Sequence, residues 1–218
     1  MFCESQLLSL RADISGKMSP SRLEHTLGVE RMAVRLGELY APEKIPVLVA
    51  AALLHDITKE NSFQKQLQIC DNLGIMVSCD EKNAPKTLHA ITASAIIPSE
   101  YPDFAVSEIL DAVRWHTTGR AGMSICEKLI YLADYIEDTR KFEDCVYLRE
   151  YFFDADPSKM SMSDRLIHLD RTLLLSFDMT IRQLVDEGSP IHVSTFSARN
   201  HLIIDLSGKD SPDNSMFI

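Results

Sequence analysis

Apolar residues recur at helical spacing along most of the chain, and no stretch alternates them with polar residues as a half-buried strand would. The spacing predicts a first helix over 4–14, ended by the break between Gly16 and Pro20. Ser21 and Glu24 fit a capping box for a second helix running to about Tyr40, with His25, Val29, Met32 and Leu36 on one stripe. Pro46 suits the first turn of a third. Its sequence, "VLVAAALLHDI", is apolar on every side, as expected of the middle helix of a bundle. A helix over 62–73 ends before Gly74 and gives way to a polar loop over 74–84. Pro85 opens the next helix and Pro98 closes it; Asp103 caps another, which Gly119 stops. Ser124 and Glu127 form a second capping box ahead of "ICEKLIYLADYIED". A long amphipathic helix from about Ser163 to Glu187 and a short one over 195–206 complete the pattern. The reading is all-α: a helical core over 1–155, C-terminal helices over 156–206, and a disordered tail over 207–218.

Several polar residues break this pattern from the inside. His25 lies on the apolar stripe of its helix, and His55-Asp56 closes the buried one. His89 shares a face with Ala93 and Ile96, His116 follows Val106, Ile109 and Val113, and Asp134 sits within "LIYLADYI". A lone inward histidine is ordinarily a hydrogen-bonded core residue, and Asp134 alone is ordinarily half of an ion pair. Four histidines and two aspartates from five helices cannot all satisfy one another in one core. A divalent metal removes the desolvation cost for the whole set. Imidazole and carboxylate without thiolate suit iron, manganese or zinc in an open, catalytic site.

Composition narrows the partners. The 218 residues are 45% hydrophobic and 25% charged, ordinary for a globular domain. A formal net charge of −10 argues against a nucleic-acid or anionic-membrane surface. No apolar run reaches the ~18–20 residues that span a bilayer, and the N-terminus carries Glu4 where a secretory signal needs basic residues. Cysteines 3, 70, 79, 126 and 145 contain no C-x-x-C pair, which points to reduced thiols and a cytoplasmic protein.

The order His25, His55-Asp56, Asp134 resembles the H…HD…D signature of the HD-domain metal-dependent phosphohydrolases, with His89 and His116 as the added pair of dinuclear members. The strings "ALLHDITKE", "LHAITASA", "WHTTGRAGMS", "EKLIYLADYIE" and "GSPIHVSTFSARNHL" are similar to those of the YqeK-type symmetrical bis(5′-nucleosyl)-tetraphosphatases, over about residues 20–204. One segment departs: after "ADYIE" the family reads Pro-x-Arg and then Pro-Gly, whereas this chain reads "DTRKFEDC". Arg140 is kept, Asp138 replaces the proline, and Asp144 stands in the Pro-Gly region.

The resemblance implies an HD-domain bundle with a C-terminal helical extension and two divalent metal ions, iron first and manganese or another transition metal next. By that resemblance His25, His55, Asp56 and Asp134 hold one metal, and Asp56 bridges to a second on His89 and His116. Water activated between the cations is then the nucleophile. The expected reaction is symmetrical cleavage of diadenosine tetraphosphate, or a related dinucleoside polyphosphate, to two ADP. Lys59, three residues after Asp56 and four after His55, falls on their helical face and is placed with Asp56 as catalytic, although the spacing alone also describes a solvated surface lysine. Lys59, Thr117, Thr118, Gly119, Arg120 and Arg140 are the expected phosphate contacts. A nucleoside diphosphate leaves without a proton donor, so the lack of an evident acid suits an anhydride better than a monoester. The alternatives are hydrolysis of another nucleotide or alarmone, and a non-catalytic nucleotide sensor. The stripe Leu166, Leu169, Leu173, Phe177, Ile181 and Leu184 serves either packing onto the core or a homodimer interface.

Overall fold

The protein is described here by a computed structural model covering residues 2–209. Those residues form eleven α-helices and no strand: α1 (Glu4–Ser15), α2 (Pro20–Tyr40), α3 (Ile45–Leu54), α4 (Phe63–Asn72), α5 (Cys79–Asn83), α6 (Leu88–Glu100), α7 (Ser107–Trp115), α8 (Ile125–Ile136), α9 (Glu143–Asp154), α10 (Met162–Asp186) and α11 (Val193–Lys209).

Helix α3 is the axis of the bundle. Every residue from Leu48 to Leu54 is buried, and the helix packs against α1, α2, α7 and α8. It has no side-chain cap at its N-terminus. A cap is worth about 1 kcal/mol, whereas each fully buried leucine contributes about 2 kcal/mol, so burial decides that this segment is helical. The main core extends from Leu10 of α1 to Leu202 of α11 and includes Leu169, Leu173 and Phe177. The middle of the α10 stripe is thus spent on packing, while Leu166 is exposed. No helix among the described residues is long and apolar enough to cross a membrane.

Several boundaries differ from the sequence expectation. Ser19, not Ser21, caps α2, its side chain accepting from the Arg22 N–H, and Pro20 takes the first turn. Helix α6 runs past Pro98 to Glu100; Pro98 is exposed in the final turn, where its missing N–H removes a bond from the helix end and not from the middle. Asp103 falls in a separate 3₁₀ turn (Pro102–Phe104), anchored by buried Phe104, and α7 begins four residues later at Ser107. The expected polar loop contains α5, whose Ser78/Glu81 capping box lies within the string "SCDE". Helix α9 has no counterpart in the sequence reading. Helix α11 continues through 207–209, and the rest of the expected tail, 210–218, lies outside the described residues.

Candidate metal centre

Two of the key imidazoles are set by the same local device. His55 and His116 are the residues at which α3 and α7 end. Each turns its ring back so that Nδ1 meets the carbonyl three residues earlier, at 2.6 Å from Ala52 O and 2.7 Å from Val113 O. With the Nδ1–H donated there, Nε2 keeps its lone pair for the interior. Helix ends leave carbonyls unpaired, so the sequence gains a satisfied terminus and an oriented ligand from one residue.

Asp56, immediately after His55, is nearly fully buried and divides its two oxygens. Oδ1 lies 3.2 Å from His89 Nε2 and 3.6 Å from His116 Nε2. Oδ2 lies 3.4 Å from His55 Nε2, 3.8 Å from His25 Nε2 and 2.6 Å from Arg22 Nη1. Asp134 Oδ1 stands 3.0 Å from His25 Nε2, 3.9 Å from His55 Nε2 and 2.6 Å from Arg140 Nη2. Histidines 89 and 116 face each other with their Nε2 atoms 3.0 Å apart. All six residues singled out in the sequence therefore meet.

The electrostatics follow from this crowding. Burial opposes ionisation of Asp56, but the His55, His116 and His89 rings hold its carboxyl well below the usual range. Burial likewise opposes Asp134, and the Arg140 guanidinium and His25 prevail over it. His25 would be depressed by burial, yet the neighbouring Asp134 and Glu137 carboxylates raise it to about 9. His89 goes the other way: burial outweighs Asp56 and pushes it down to about 4. Burial also lowers Lys59.

The donors fit a metal. Nε2 of His25, Nε2 of His55 and Oδ1 of Asp56 are buried without a hydrogen bond, and each such group costs about 1–3 kcal/mol if left so. The ligand atoms of His25, His55 and Asp134 lie within 4.8 Å of one another, as do those of His55, Asp56 and His116. Nitrogen and carboxylate oxygen without sulfur is the donor set of a divalent transition metal.

The other expected contacts divide. Lys59 lies in the turn after α3, not on a helical face, with Nζ 3.2 Å from His89 Nε2. Thr117 Oγ1 is 3.3 Å from the same nitrogen. Arg140 grips both the side chain and the backbone carbonyl of Asp134. Arg120 is not brought to this group: its guanidinium holds Glu127 at 2.5 and 3.1 Å and Asp111 at 3.3 Å. The Gly119 N–H is already spent on Trp115 O at 2.8 Å. With φ +62°, and with Phe177 Cζ 2.6 Å from where a Cβ would stand, Gly119 serves a turn packed under α10. Thr118 is buried, its hydroxyl donating to Gly119 O.

Three residues that the sequence reading passed over belong here. Arg22, one turn before His25, pairs with Asp56. Glu137, the last residue of "ADYIE", has a fully buried side chain 3.1 Å from His25 Nδ1. Arg149 of α9 pins the turn after α8 through the carbonyls of Ile136, Glu137 and Arg140. Helical spacing offered no signal for Glu137, which lies just beyond the end of α8. Beside His25 opens a cavity of about 680 Å³, lined by Arg22, Glu137, Thr139, Arg140, Lys141 and Phe142 among others. Of the two acidic departures, Asp138 is on its wall, and Asp144 accepts from Tyr135 Oη at 2.9 Å.

Three curated relatives carry the name symmetrical bis(5′-nucleosyl)-tetraphosphatase. Those of Bacillus subtilis strain 168 and Halalkalibacterium halodurans are each 29% identical over 192 residues, covering 88% and 86% of this chain and 95% and 92% of theirs. That of Staphylococcus aureus NCTC 8325 is 28% identical over 185 residues, covering 85% of this chain and 88% of its own. Among solved structures, an HD-superfamily hydrolase from Clostridium acetobutylicum, described as involved in NAD metabolism, superposes with a TM-score of 0.77. It is 30% identical, with 94% of this chain and 99% of that one covered. The HD domain itself matches residues 22–139, the span from Arg22 to Thr139 that contains every ligand-type residue above. The chain belongs to the HD-domain family.

Proposed function

We propose that this HD-domain hydrolase cleaves diadenosine tetraphosphate, or a closely related dinucleoside polyphosphate, symmetrically into two nucleoside diphosphates. The observation that carries the reading is the divided carboxylate of Asp56, one oxygen toward His25 and His55 and the other toward His89 and His116. Such a carboxylate suits two cations side by side. His25, His55, Asp56 and Asp134 would hold one, and Asp56, His89 and His116 the other, with iron as the proposed metal and manganese the next choice. When bound, divalent ions polarise a phosphoryl group and ease deprotonation of water.

The rest falls to the chain's own side chains. Lys59 stands beside His89 and supplies positive charge where the phosphoryl group becomes more negative. Its lowered pKa reflects the removal of water from around it. Arg22 and Arg140 line the cavity and, beyond their respective bonds to Asp56 and Asp134, keep further N–H donors for phosphate oxygens. Phe142, with 69% of its surface exposed at the cavity, offers a face on which a nucleobase can stack. The pocket wall sets Arg22, Arg140 and Lys141 among Glu24, Glu137 and Asp138, so bound divalent ions would supply the further positive charge that a small polyanion needs. The names of the curated relatives support the same substrate.

Product analysis tests the proposal. Incubated with diadenosine tetraphosphate and Mn²⁺ or Fe²⁺, the protein is expected to yield ADP alone. ATP plus AMP overturns the symmetrical cut. The description of the Clostridium neighbour favours a second reading, hydrolysis of another nucleotide, to which turnover of such nucleotides but not of diadenosine tetraphosphate would point.

A further inference from the structure

Of the four imidazoles at the centre, His25 lies mid-helix, where its own helix has no free carbonyl to orient it. Its Nδ1 is met instead by Glu137 Oε1 at 3.1 Å. The Glu137 carboxylate is fully buried and is itself held on both oxygens. The Thr139 hydroxyl donates to Oε1 at 2.6 Å, and the Thr139 N–H donates to Oε2 at 2.7 Å. It reaches this place by lying across Gly28, one turn along α2 from His25. A Cβ built on Gly28 would stand 2.9 Å from Glu137 Cδ and closer still to Oε2. No φ requirement explains this glycine, because it lies within α2. Helical propensity alone disfavours glycine there relative to alanine. The space above Gly28 is what a side chain would fill, and Glu137 fills it.

We infer that Gly28 and Glu137 form one positioning device: the missing side chain of the first admits the carboxylate of the second. That carboxylate fixes the His25 ring with its Nδ1–H donated and Nε2 aimed at Asp134 and Asp56. Glu137 is a positioning residue and touches no reacting atom. The inference rests on the metal-site reading above and not on the identity of the nucleotide, so its test uses the metal alone.

The test is Mn²⁺ binding to the metal-stripped full-length protein by titration calorimetry at pH 7.5, with no nucleotide present. Loss of a group that orients a ligand imidazole typically weakens binding about 10- to 100-fold. Glu137→Ala is expected to do so. Glu137→Gln still presents an oxygen to the Nδ1–H but turns its NH2 toward the Thr139 N–H, so it is expected to keep part of the affinity, more than Glu137→Ala does. Gly28→Ala leaves every ligand in place and is expected to weaken binding about as much as Glu137→Ala by expelling the carboxylate. In the Glu137→Ala background the same glycine change should cost nothing more. Melting temperature supplies a second readout, one that changes sign: Gly28→Ala lowers it in the parent and raises it in the Glu137→Ala background, where the helix gains and nothing is displaced. Equal effects of Gly28→Ala in both backgrounds overturn the inference. So does parental Mn²⁺ affinity in Glu137→Ala. If Gly28→Ala fails to fold, the gap between Glu137→Ala and Glu137→Gln still decides: equal affinities of the two overturn the role of the carboxylate.

Discussion

The two halves of the centre are oriented by different chemistry. On the His89/His116 side the supports are largely neutral. His116 leans on a backbone carbonyl, and the His89 backbone accepts from the Thr58 hydroxyl at 2.9 Å. The full charges on this side are Lys59 and the Asp56 carboxylate, which it shares with the other half. On the His25 side the supports are ionic: Glu137 and Asp134 on the ring, with Arg22 and Arg140 on the two aspartates. His25 is accordingly pushed up to about 9 and His89 down to about 4. Neutral supports hold a ring in place without altering its charge. Ionic supports hold it and also make its protonation depend on what else is bound. The ionic half is also the one that borders the cavity.

Asp56 is common to both halves, so its removal is the largest disturbance. Asp56→Ala is expected to abolish hydrolysis and to strip bound metal from both sides, read by elemental analysis of the purified protein. Full activity in this variant would end the two-cation reading. Next in size, His25→Ala and His116→Ala should separate the halves. Each is expected to lose about one of two metal equivalents and at least about 100-fold in turnover. If either variant empties the whole centre, the halves are one unit and the comparison fails. Lys59→Ala is smaller again. Turnover should fall about 100-fold, as for loss of one charge-stabilising donor, with metal content unchanged. Loss of metal would move Lys59 from the phosphate to the support of His89.

The ligand residues of both halves are legible in the sequence, and the ionic supports around His25 are not, apart from Arg140, which the sequence names as a phosphate contact. Helical spacing places His25, His55, His89 and His116 on inward faces, and the apolar run before His55 identifies the central helix. Asp134 was legible for the same reason, inside a segment with little polar surface. Glu137 and Arg140 follow the end of α8 in a turn, where no periodicity says which way a side chain points. Arg22 reads as a surface residue of the first turn of α2 until Asp56 of another element is placed 2.6 Å from it. Arg120 misled because its sequence context suggested a phosphate fork. Its partner Glu127 caps α8 and also accepts from the guanidinium. Helix α9 went unrecognised because charged and aromatic residues interrupt its apolar face, of which Cys145, Leu148 and Phe152 are buried.

The subtlest expected effect concerns protons. In the metal-free protein at pH 7.5, His25, with its pKa near 9, carries a proton on each nitrogen. A cation taken up on Nε2 must displace one of them, while Nδ1–H stays with Glu137. His89, near 4, is already neutral and releases none. Uptake on the His25 side should therefore weaken about tenfold for each pH unit below 9, a dependence that His89 does not add on the other side. Mn²⁺ titrations in buffers of different ionisation enthalpy read the proton count directly. His116→Ala, which keeps His25, is expected to release about one proton more than His25→Ala, which keeps His89. Glu137→Ala should lower the first count, because His25 loses one of the two carboxylates that raise its pKa. Equal proton counts from the two histidine variants would mean that their supports do not differ in the way the geometry requires.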